Sequence, residues 1–184
     1  MTDKEKILES QIREIYGRVV YTHKTHEKCA DVLKRRSDCL KLAEIILSAA
    51  TTTSILIVLF GEGKTFQLIA AIFSTILLAL TLYSKDFHLL AIAEKHKQAA
   101  LDILGIREKL LSLLVDIKMG NKDISQLQES RDELNEQLVN AYRGAPKTIN
   151  KAYDLASIAL KENEEFTFTD VEIDKFLPES LRRN

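Results

Sequence analysis

Two apolar runs separated by a short polar turn interrupt an otherwise charged sequence. The runs are residues 45–60 and 65–84, and residues 61–64 between them are Gly-Glu-Gly-Lys. The second run has no charged residue, and at about 1.5 Å of rise per residue it covers about 30 Å, the hydrocarbon thickness of a bilayer. The pattern predicts a transmembrane hairpin with helices at about 42–60 and 65–84.

The first helix of this hairpin is the more polar one. Residues 48–54 are all Ser, Ala or Thr, which add little free energy of insertion, whereas residues 55–60 are fully apolar. The second helix is apolar along its length and can bring its partner into the membrane. A soluble bundle that buries both runs in its core is the alternative.

Both flanks of the hairpin are charged and have helical periodicity. In residues 1–41 apolar side chains recur every three or four positions, and the segment runs into the first membrane helix without a proline. Residues 85–184 continue with helices that we predict to end at Gly120, at Gly144 and near residue 162. The predicted fold is all-α, a transmembrane hairpin continuous with long cytosolic helices that form a helical bundle.

The tail after residue 165 has its own local signals. Thr169 and Glu172 have the Thr-x-x-Glu spacing of a capping box, which predicts one or two helical turns before Pro178. Two interpretations stay open for this tail: it docks on the cytosolic helices, or a partner holds it.

Basic residues beside the hairpin predict its orientation. Residues 34–36 and Lys41 precede the hairpin and Lys85 follows it, whereas the turn has only Lys64, next to Glu62. Because positive charge is retained on the cytoplasmic side, we expect both termini in the cytoplasm and the turn outside.

Composition excludes some partners. The formal net charge of −1 gives no general attraction to nucleic acid, so we expect no direct nucleic-acid partner. Cys29 and Cys39 are ten residues apart on one predicted helix, too far for a disulfide. The charged first five residues lack the apolar core of a signal peptide, and we expect none.

Two local patterns suggest chemistry, and each has a simpler explanation. Gly63–Thr65 resembles the end of a phosphate-binding loop, but position 58 is valine where that motif needs glycine. His23, His26 and Cys29 are possible metal ligands, but their spacing winds them around the helix instead of bringing them together. We expect no cofactor, no metal site and no catalytic residue, and we predict that the protein is not an enzyme.

Polar residues inside the predicted membrane helices are the main candidates for a site. Gln67, Ser74 and Thr81 are seven residues apart and share one stripe of the second helix. Because the turn is short, Thr51 and Ser74 are expected at one depth, where the small, hydroxylated centres of both helices meet. The candidate residues are Glu44, Ser48, Thr51, Thr52, Gln67, Ser74 and Thr81.

These candidates allow two interpretations, which are not exclusive. Small and hydroxylated residues permit close packing between membrane helices. The same residues can line a water-filled path once several hairpins assemble. Glu44, at the cytoplasmic end of its helix, is either a vestibule charge or a partner for Lys41 or Lys85.

The chain as a whole resembles a known domain family. The carrying features are the long N-terminal helix, the two-helix hairpin with its short turn, the further cytosolic helices, and the tail Thr169-Asp170-x-Glu172-Ile173-x-x-Phe176-Leu177-Pro178-x-x-Leu181. This architecture resembles the SLATT domain, the two-transmembrane effector domain associated with bacterial nucleotide-signalling and reverse-transcriptase defence systems. The resemblance covers nearly all residues.

The resemblance implies an effector of the bacterial inner membrane that forms pores or disrupts the bilayer when a defence system is triggered. One hairpin cannot enclose a channel, so a pore implies a homo-oligomer in the lipid bilayer. Because the chain has no room for a separate sensor, we expect the trigger to come from a cytosolic activator or sensor protein of the same defence operon, or to bind the cytosolic helices directly. The alternative is a membrane anchor or scaffold that recruits a cytosolic partner.

Overall fold

The structure, a computed structural model, describes residues 2–60 and 64–183, with Phe60 described by its backbone alone. The predicted turn at residues 61–63 lies outside the described residues. The helices are α1 (Asp3–Phe60), α2 (Lys64–Phe87), α3 (Leu89–Met119), α4 (Ile124–Gly144), α5 (Asn150–Lys161) and α6 (Asp170–Phe176), followed by a 3-10 turn (Glu179–Leu181). No strand occurs in the described part of the chain, and the all-α prediction is confirmed.

A single helix forms both the N-terminal part of the bundle and the first half of the hairpin. α1 has 58 residues, and at about 1.5 Å each it is roughly 90 Å long. No proline interrupts it, and the predicted continuity into the hairpin is confirmed. α1 packs against α2 in the hairpin and against α3, α4 and α5 in the bundle.

The second helix of the hairpin ends where the chain leaves the hairpin and does not continue into the bundle. Sequence analysis expected the helical pattern to continue after Ser84, but His88 has φ 43° and ψ 40° and separates α2 from α3. The left-handed region is uncommon for residues other than glycine, although histidine adopts it more readily than most. The hairpin and the bundle are therefore joined by one continuous helix and one interrupted helix.

The apolar core of the bundle lies where α1, α3 and α4 meet. Its buried residues are Leu8, Ile12, Ile15 and Val19 of α1, Ile103, Ile106, Leu110, Leu113 and Ile117 of α3, and Leu127, Leu134 and Leu138 of α4. These positions recur every three or four residues, as the sequence pattern predicts. Burial of such a side chain contributes roughly 1.5–3 kcal/mol, so this cluster is the main source of the bundle's stability.

The connections follow from local sequence. Gly120 ends α3 with φ 66°, a conformation that glycine adopts without strain, and this predicted end is confirmed. Asp123 begins α4 with a capping box, since its side chain accepts from the backbone N–H of Gln126, whose side chain accepts from the N–H of Asp123. The predicted end of α4 at Gly144 is also confirmed.

Close packing of α5 on α1 completes the half of the bundle next to the hairpin. Ala152, Ala156 and Ala159 are fully buried on one face of α5. Alanine at this spacing lets two helix backbones approach closely. Both cysteines are free thiols, Cys29 buried and Cys39 exposed.

A histidine pair connects α1 to α3 in this region. The Nδ1 atoms of His26 and His96 are 2.9 Å apart, and both side chains are buried. In this contact one ring donates and the other accepts, so the pair requires at least one neutral ring. Burial, reinforced by His96 and His23, lowers the pKa of His26 to about 4.

Acid should therefore destabilise the bundle. In the unfolded chain His26 has the ordinary histidine pKa of 6.5, so it binds a proton below that pH. In the folded chain it binds this proton only near pH 4. The stabilisation is fully present above pH 6.5 and is lost as pH falls, by up to about 3 kcal/mol at pH 4. We expect the thermal unfolding midpoint in detergent, followed by circular dichroism, to fall between about pH 7.5 and about pH 5.

Two variants test the assignment to His26. His26→Gln should flatten the pH dependence, whereas His88→Asn, at an exposed histidine whose left-handed conformation asparagine also tolerates, should keep it. An equal pH dependence in the wild type and His26→Gln would contradict this origin.

Candidate functional site

The two membrane helices meet through faces that each combine small and larger side chains. Thr51 and Ser54 of α1 and Ala70 of α2 are buried in the hairpin, with exposed fractions of 9%, 7% and 9%. Leu47 of α1 and Leu77 of α2 are half-buried on the same faces. Small residues allow the helices to approach closely, so these faces are used in packing.

The buried hydroxyl groups are satisfied inside their own helix. The hydroxyl of Thr51 donates to the carbonyl of Leu47 at 2.8 Å, and that of Ser54 donates to the carbonyl of Ala50 at 2.9 Å. Such a bond to the preceding turn removes the need for water or for a cross-helix partner. The hydroxyl groups of Thr51 and Ser54 therefore leave no unsatisfied donor at the helix interface.

The candidate residues separate into packed and exposed ones. Thr51 is buried and Glu44 is half-buried, whereas Ser48, Thr52, Gln67, Ser74 and Thr81 are exposed. Ser74 is exposed whereas Thr51 is buried, so the predicted meeting of hydroxylated residues at the helix interface does not include Ser74, and the equal depth of the two residues stays a prediction. The role of the exposed residues in lining a path stays a prediction.

The exposed polar residues of both helices lie on one flank of the hairpin. Around the axis of its helix, Ser48 lies about 100° from the interface residue Leu47, and Thr81 lies about 40° from Leu77. Both angles are counted in the same rotational sense, from the N-terminus to the C-terminus of each helix. Because the helices run antiparallel, the same sense of rotation on both leads to the same side. We name the residues Glu44, Ser48, Thr52, Gln67, Ser74 and Thr81 the polar flank.

The opposite flank is apolar. Ile72, Ile76 and Tyr83 of α2 are exposed there, by 48%, 43% and 45%. Tyr83 stacks on Phe87 with ring centroids 4.3 Å apart at the end of the hairpin next to the bundle. Aromatic pairs in this position are typical of the membrane–water interface.

A polar cleft lies at the end of the polar flank next to the bundle. It has a volume of about 640 Å³ and is lined by Ser37, Lys41 and Glu44 of α1, by Ser84 and His88 at the break, and by residues at the start of α3. Because Glu44 and His88 line the same cleft, they lie on one side of the hairpin.

Glu44 has unused hydrogen-bonding capacity in this cleft. Its Oε1 atom is buried without a hydrogen-bond partner among residues 2–60 and 64–183. In that part of the chain it forms an ion pair with neither Lys41 nor Lys85, the partners that the sequence suggested. This oxygen is closed off from solvent, so the vestibule role that the sequence suggested for Glu44 stays a prediction.

The apolar helices are not buried inside the chain. Only 11% of the most apolar window of α1 and 6% of that of α2–α3 is buried. A soluble bundle would bury such windows in its core, so the alternative with both runs in a soluble core disagrees with the structure. Both helices are long and apolar enough to cross a membrane.

The start of the tail docks on the bundle. The Phe166 ring stacks on His23 with centroids 5.5 Å apart, and Lys24 Nζ and Arg107 Cζ lie 4.5 and 4.6 Å from its centroid. Glu165 forms ion pairs with Lys24 and Lys28 of α1. Stacking and cation–π contacts thus hold the tail at this point, where Lys24 is itself buried.

The remainder of the tail is folded but unpacked. The predicted capping box of α6 is confirmed, since Thr169 N donates to Glu172 at 2.8 Å and Glu172 N donates back to the Thr169 hydroxyl at 3.3 Å. No described residue of α6 is buried. The tail therefore combines a docked start with an exposed end. Docking on the bundle is found for the start of the tail, and a partner that holds its end stays a prediction.

Sequence reasoning missed the contacts of the histidines. His23 stacks on Phe166, His26 pairs with His96, and Cys29 is buried beside α5. Within the described ranges, no group of three or more His, Cys, Asp or Glu side chains lies close enough to hold a metal ion. The available signal for these contacts was that polar residues occupy helix positions expected to be buried. The sequence did not identify their partners, because these are 70 or more residues away along the chain.

Comparison with known proteins assigns the chain to a family. The family model described as SMODS and SLOG-associating 2TM effector domain family 4 matches residues 8–172. No curated protein and no solved structure matches the chain. The matched region contains the hairpin, the bundle and the docked start of the tail. The chain, with its two exposed apolar helices, is therefore a membrane protein that belongs to the family of SMODS and SLOG-associating 2TM effector domains.

Proposed function

We propose that this membrane effector acts in anti-phage defence by oligomerising in the bacterial inner membrane and opening a pore or disrupting the bilayer. Membership of the effector family supports the membrane role in defence. The observation that carries the pore proposal is the polar flank, where Ser48, Gln67 and Ser74 are exposed within otherwise apolar spans. The mechanism requires assembly and no enzymatic step.

Hydrocarbon is a poor solvent for that flank. An amide or hydroxyl without a partner costs roughly 1–3 kcal/mol when it leaves water, and Gln67 and Ser74 would each meet lipid in an isolated hairpin. Copies that turn their polar flanks toward one another remove these groups from lipid, while Ile72 and Ile76 on the opposite flank stay in contact with it. One hairpin has only two helices, so a water-filled path needs several copies.

The orientation of the hairpin remains part of the proposal. Residues 34–36, Lys41 and Lys85 are next to the bundle end of the hairpin, which supports a cytoplasmic bundle with both termini inside. Glu44 then lies at the cytoplasmic mouth of the path. Carboxylates at the mouth of a pore favour cations over anions.

A cytosolic activator protein is the second part of the proposal. Phe168 precedes the short helix α6, and Val171 and Phe176 belong to it. The exposed fractions of these three side chains are 61%, 68% and 81%. Exposed aromatic and aliphatic side chains in such a group are typical of a protein interaction surface. We propose that the partner binds this end of the tail and pulls Phe166 away from its docked position.

Loss of the polar flank should abolish toxicity. Ser74→Leu with Thr81→Leu replaces hydroxyl groups by apolar bulk on the proposed path, and both sites are exposed, so the fold should persist. After induced expression with the neighbouring genes and a trigger, we expect the wild type to depolarise the membrane before growth stops and the double variant to preserve both potential and growth. Ile72→Leu with Ile76→Leu, on the apolar flank, should behave like the wild type.

Two outcomes would count against pore lining. Unchanged depolarisation in Ser74→Leu with Thr81→Leu, at equal expression in the membrane fraction, would remove these residues from the path. Growth arrest with an intact membrane potential would favour the membrane anchor, whose hairpin only localises a cytosolic partner.

Exchange of the hairpin separates effector from anchor. We expect that replacing residues 42–84 by an unrelated two-helix hairpin of equal length abolishes defence, because the foreign hairpin lacks the polar flank. Plaque counts on cells with the intact system and with the chimera give the measurement. Full protection by a chimera that reaches the membrane would establish the anchor instead.

The tail offers a test of activation. Phe176→Ser with Val171→Ser should leave the unfolding midpoint unchanged, because both side chains are exposed, yet should abolish activation by the partner. Phe166→Ala removes the docked ring and should lower the midpoint as well. Activation that is normal in the α6 variant would place the partner's contact elsewhere.

A further inference from the structure

A basic groove lies on the apolar flank where the hairpin meets the bundle. Its volume is about 890 Å³, and it is formed by α1, the end of α2 and the start of α3 and α5. The basic residues are Arg35 and Arg36 of α1 and Lys151 of α5, all exposed. None of these three side chains forms an ion pair or a hydrogen bond within the described ranges, and the lining includes no acidic residue.

The other end of the groove is apolar. Leu40, Leu80 and Tyr83 line it on the side of the membrane helices. Val32 and Leu155 lie with the cations at the bundle end, whereas no charged side chain lines the membrane end. Charges at one end only have the same order as the headgroup and acyl chains of a phospholipid. The groove is thus amphipathic along the membrane normal.

The position of the cations also fits the membrane interface. Arg36 precedes the predicted membrane boundary at residue 42 by six residues, about 9 Å along the helix. The headgroup layer lies just outside the hydrocarbon core, and long arginine side chains reach it readily. Tyr83, stacked on Phe87, marks the same level on α2.

We propose that this groove binds one anionic phospholipid of the adjoining leaflet. Arg35, Arg36 and Lys151 hold the phosphate, and an acyl chain lies along the apolar end of the groove. The groove opens on the flank that meets lipid, opposite the polar flank, so the lipid does not enter the proposed path. The inference rests on insertion of the hairpin in a membrane and not on pore formation.

Cys39 provides a reporter inside the groove. Its thiol is exposed and lines the groove, whereas Cys29 is buried, which also raises the pKa of the Cys29 thiol and slows its reaction. We would reconstitute the full chain in nanodiscs of phosphatidylcholine, alone or mixed with phosphatidylglycerol, and measure the rate at which N-ethylmaleimide modifies Cys39. We expect phosphatidylglycerol to slow this reaction.

Matched variants test the three cations. Each juxtamembrane cation contributes about fivefold to the affinity for an anionic headgroup, so Arg35→Gln, Arg36→Gln and Lys151→Gln together should weaken binding about a hundredfold and abolish protection. The control is the triple variant Lys34→Gln, Lys41→Gln and Lys85→Gln, which removes the same charge beside the membrane but outside the groove. It should keep the protection of the wild type.

Three results would overturn the lipid assignment. Equal protection in phosphatidylcholine alone, rising with protein density, would assign the groove to a second copy of the chain. Protection by inorganic phosphate in phosphatidylcholine would assign it to a soluble anion. No protection in any lipid mixture would leave the groove without a lipid ligand, while the depolarisation assay would still report on the pore.

Discussion

Packing against α1 is the interaction on which the rest of the structure depends. The same helix supplies Leu8, Ile12 and Val19 to the bundle core and Thr51 and Ser54 to the hairpin interface. Because no break interrupts α1, a change of its position in the bundle is carried into the membrane. The second connection is interrupted at His88, so α2 and α3 can change their relative angle about a single residue. This combination suits an effector that a cytosolic event activates.

The contacts that secure α1 in the bundle include a polar set in the half next to the hairpin. His26 and His96, the buried Lys24, and the docked pair Glu165–Phe166 occur there together with the buried alanines of α5. Polar contacts of this kind depend on geometry and charge more steeply than aliphatic packing does. A partner that removes Phe166 from His23 would leave Lys24 and Arg107 without their shared ring. The tail is therefore placed where a small displacement changes the packing of α1.

Most helices of this fold were predictable, whereas the pairing of their faces was not. Apolar spacing predicted the core positions of α1, α3 and α4, and Gly120 and Gly144 predicted two helix ends, because these signals are local. The break at His88 was missed, since histidine is no helix breaker and no local signal marks it. The sequence predicted Ser74 and Thr51 at one depth, but equal depth in a hairpin does not determine which faces meet. Phe73 and Leu77 are half-buried on the face of α2 that also buries Ala70, whereas Ser74 is exposed, and this choice of face depends on packing across the two helices.

This pairing gives the hairpin two different flanks. The face of α2 that packs on α1 leaves Gln67 and Ser74 outside, where a second protein surface or water can satisfy their side chains. The same arrangement leaves Ile76 and Tyr83 exposed on the opposite flank, beside the basic groove. The proposed assembly on one flank and the proposed lipid contact on the other thus both depend on one packing arrangement, and a change at the interface, such as enlarging Ser54, should disturb both at once.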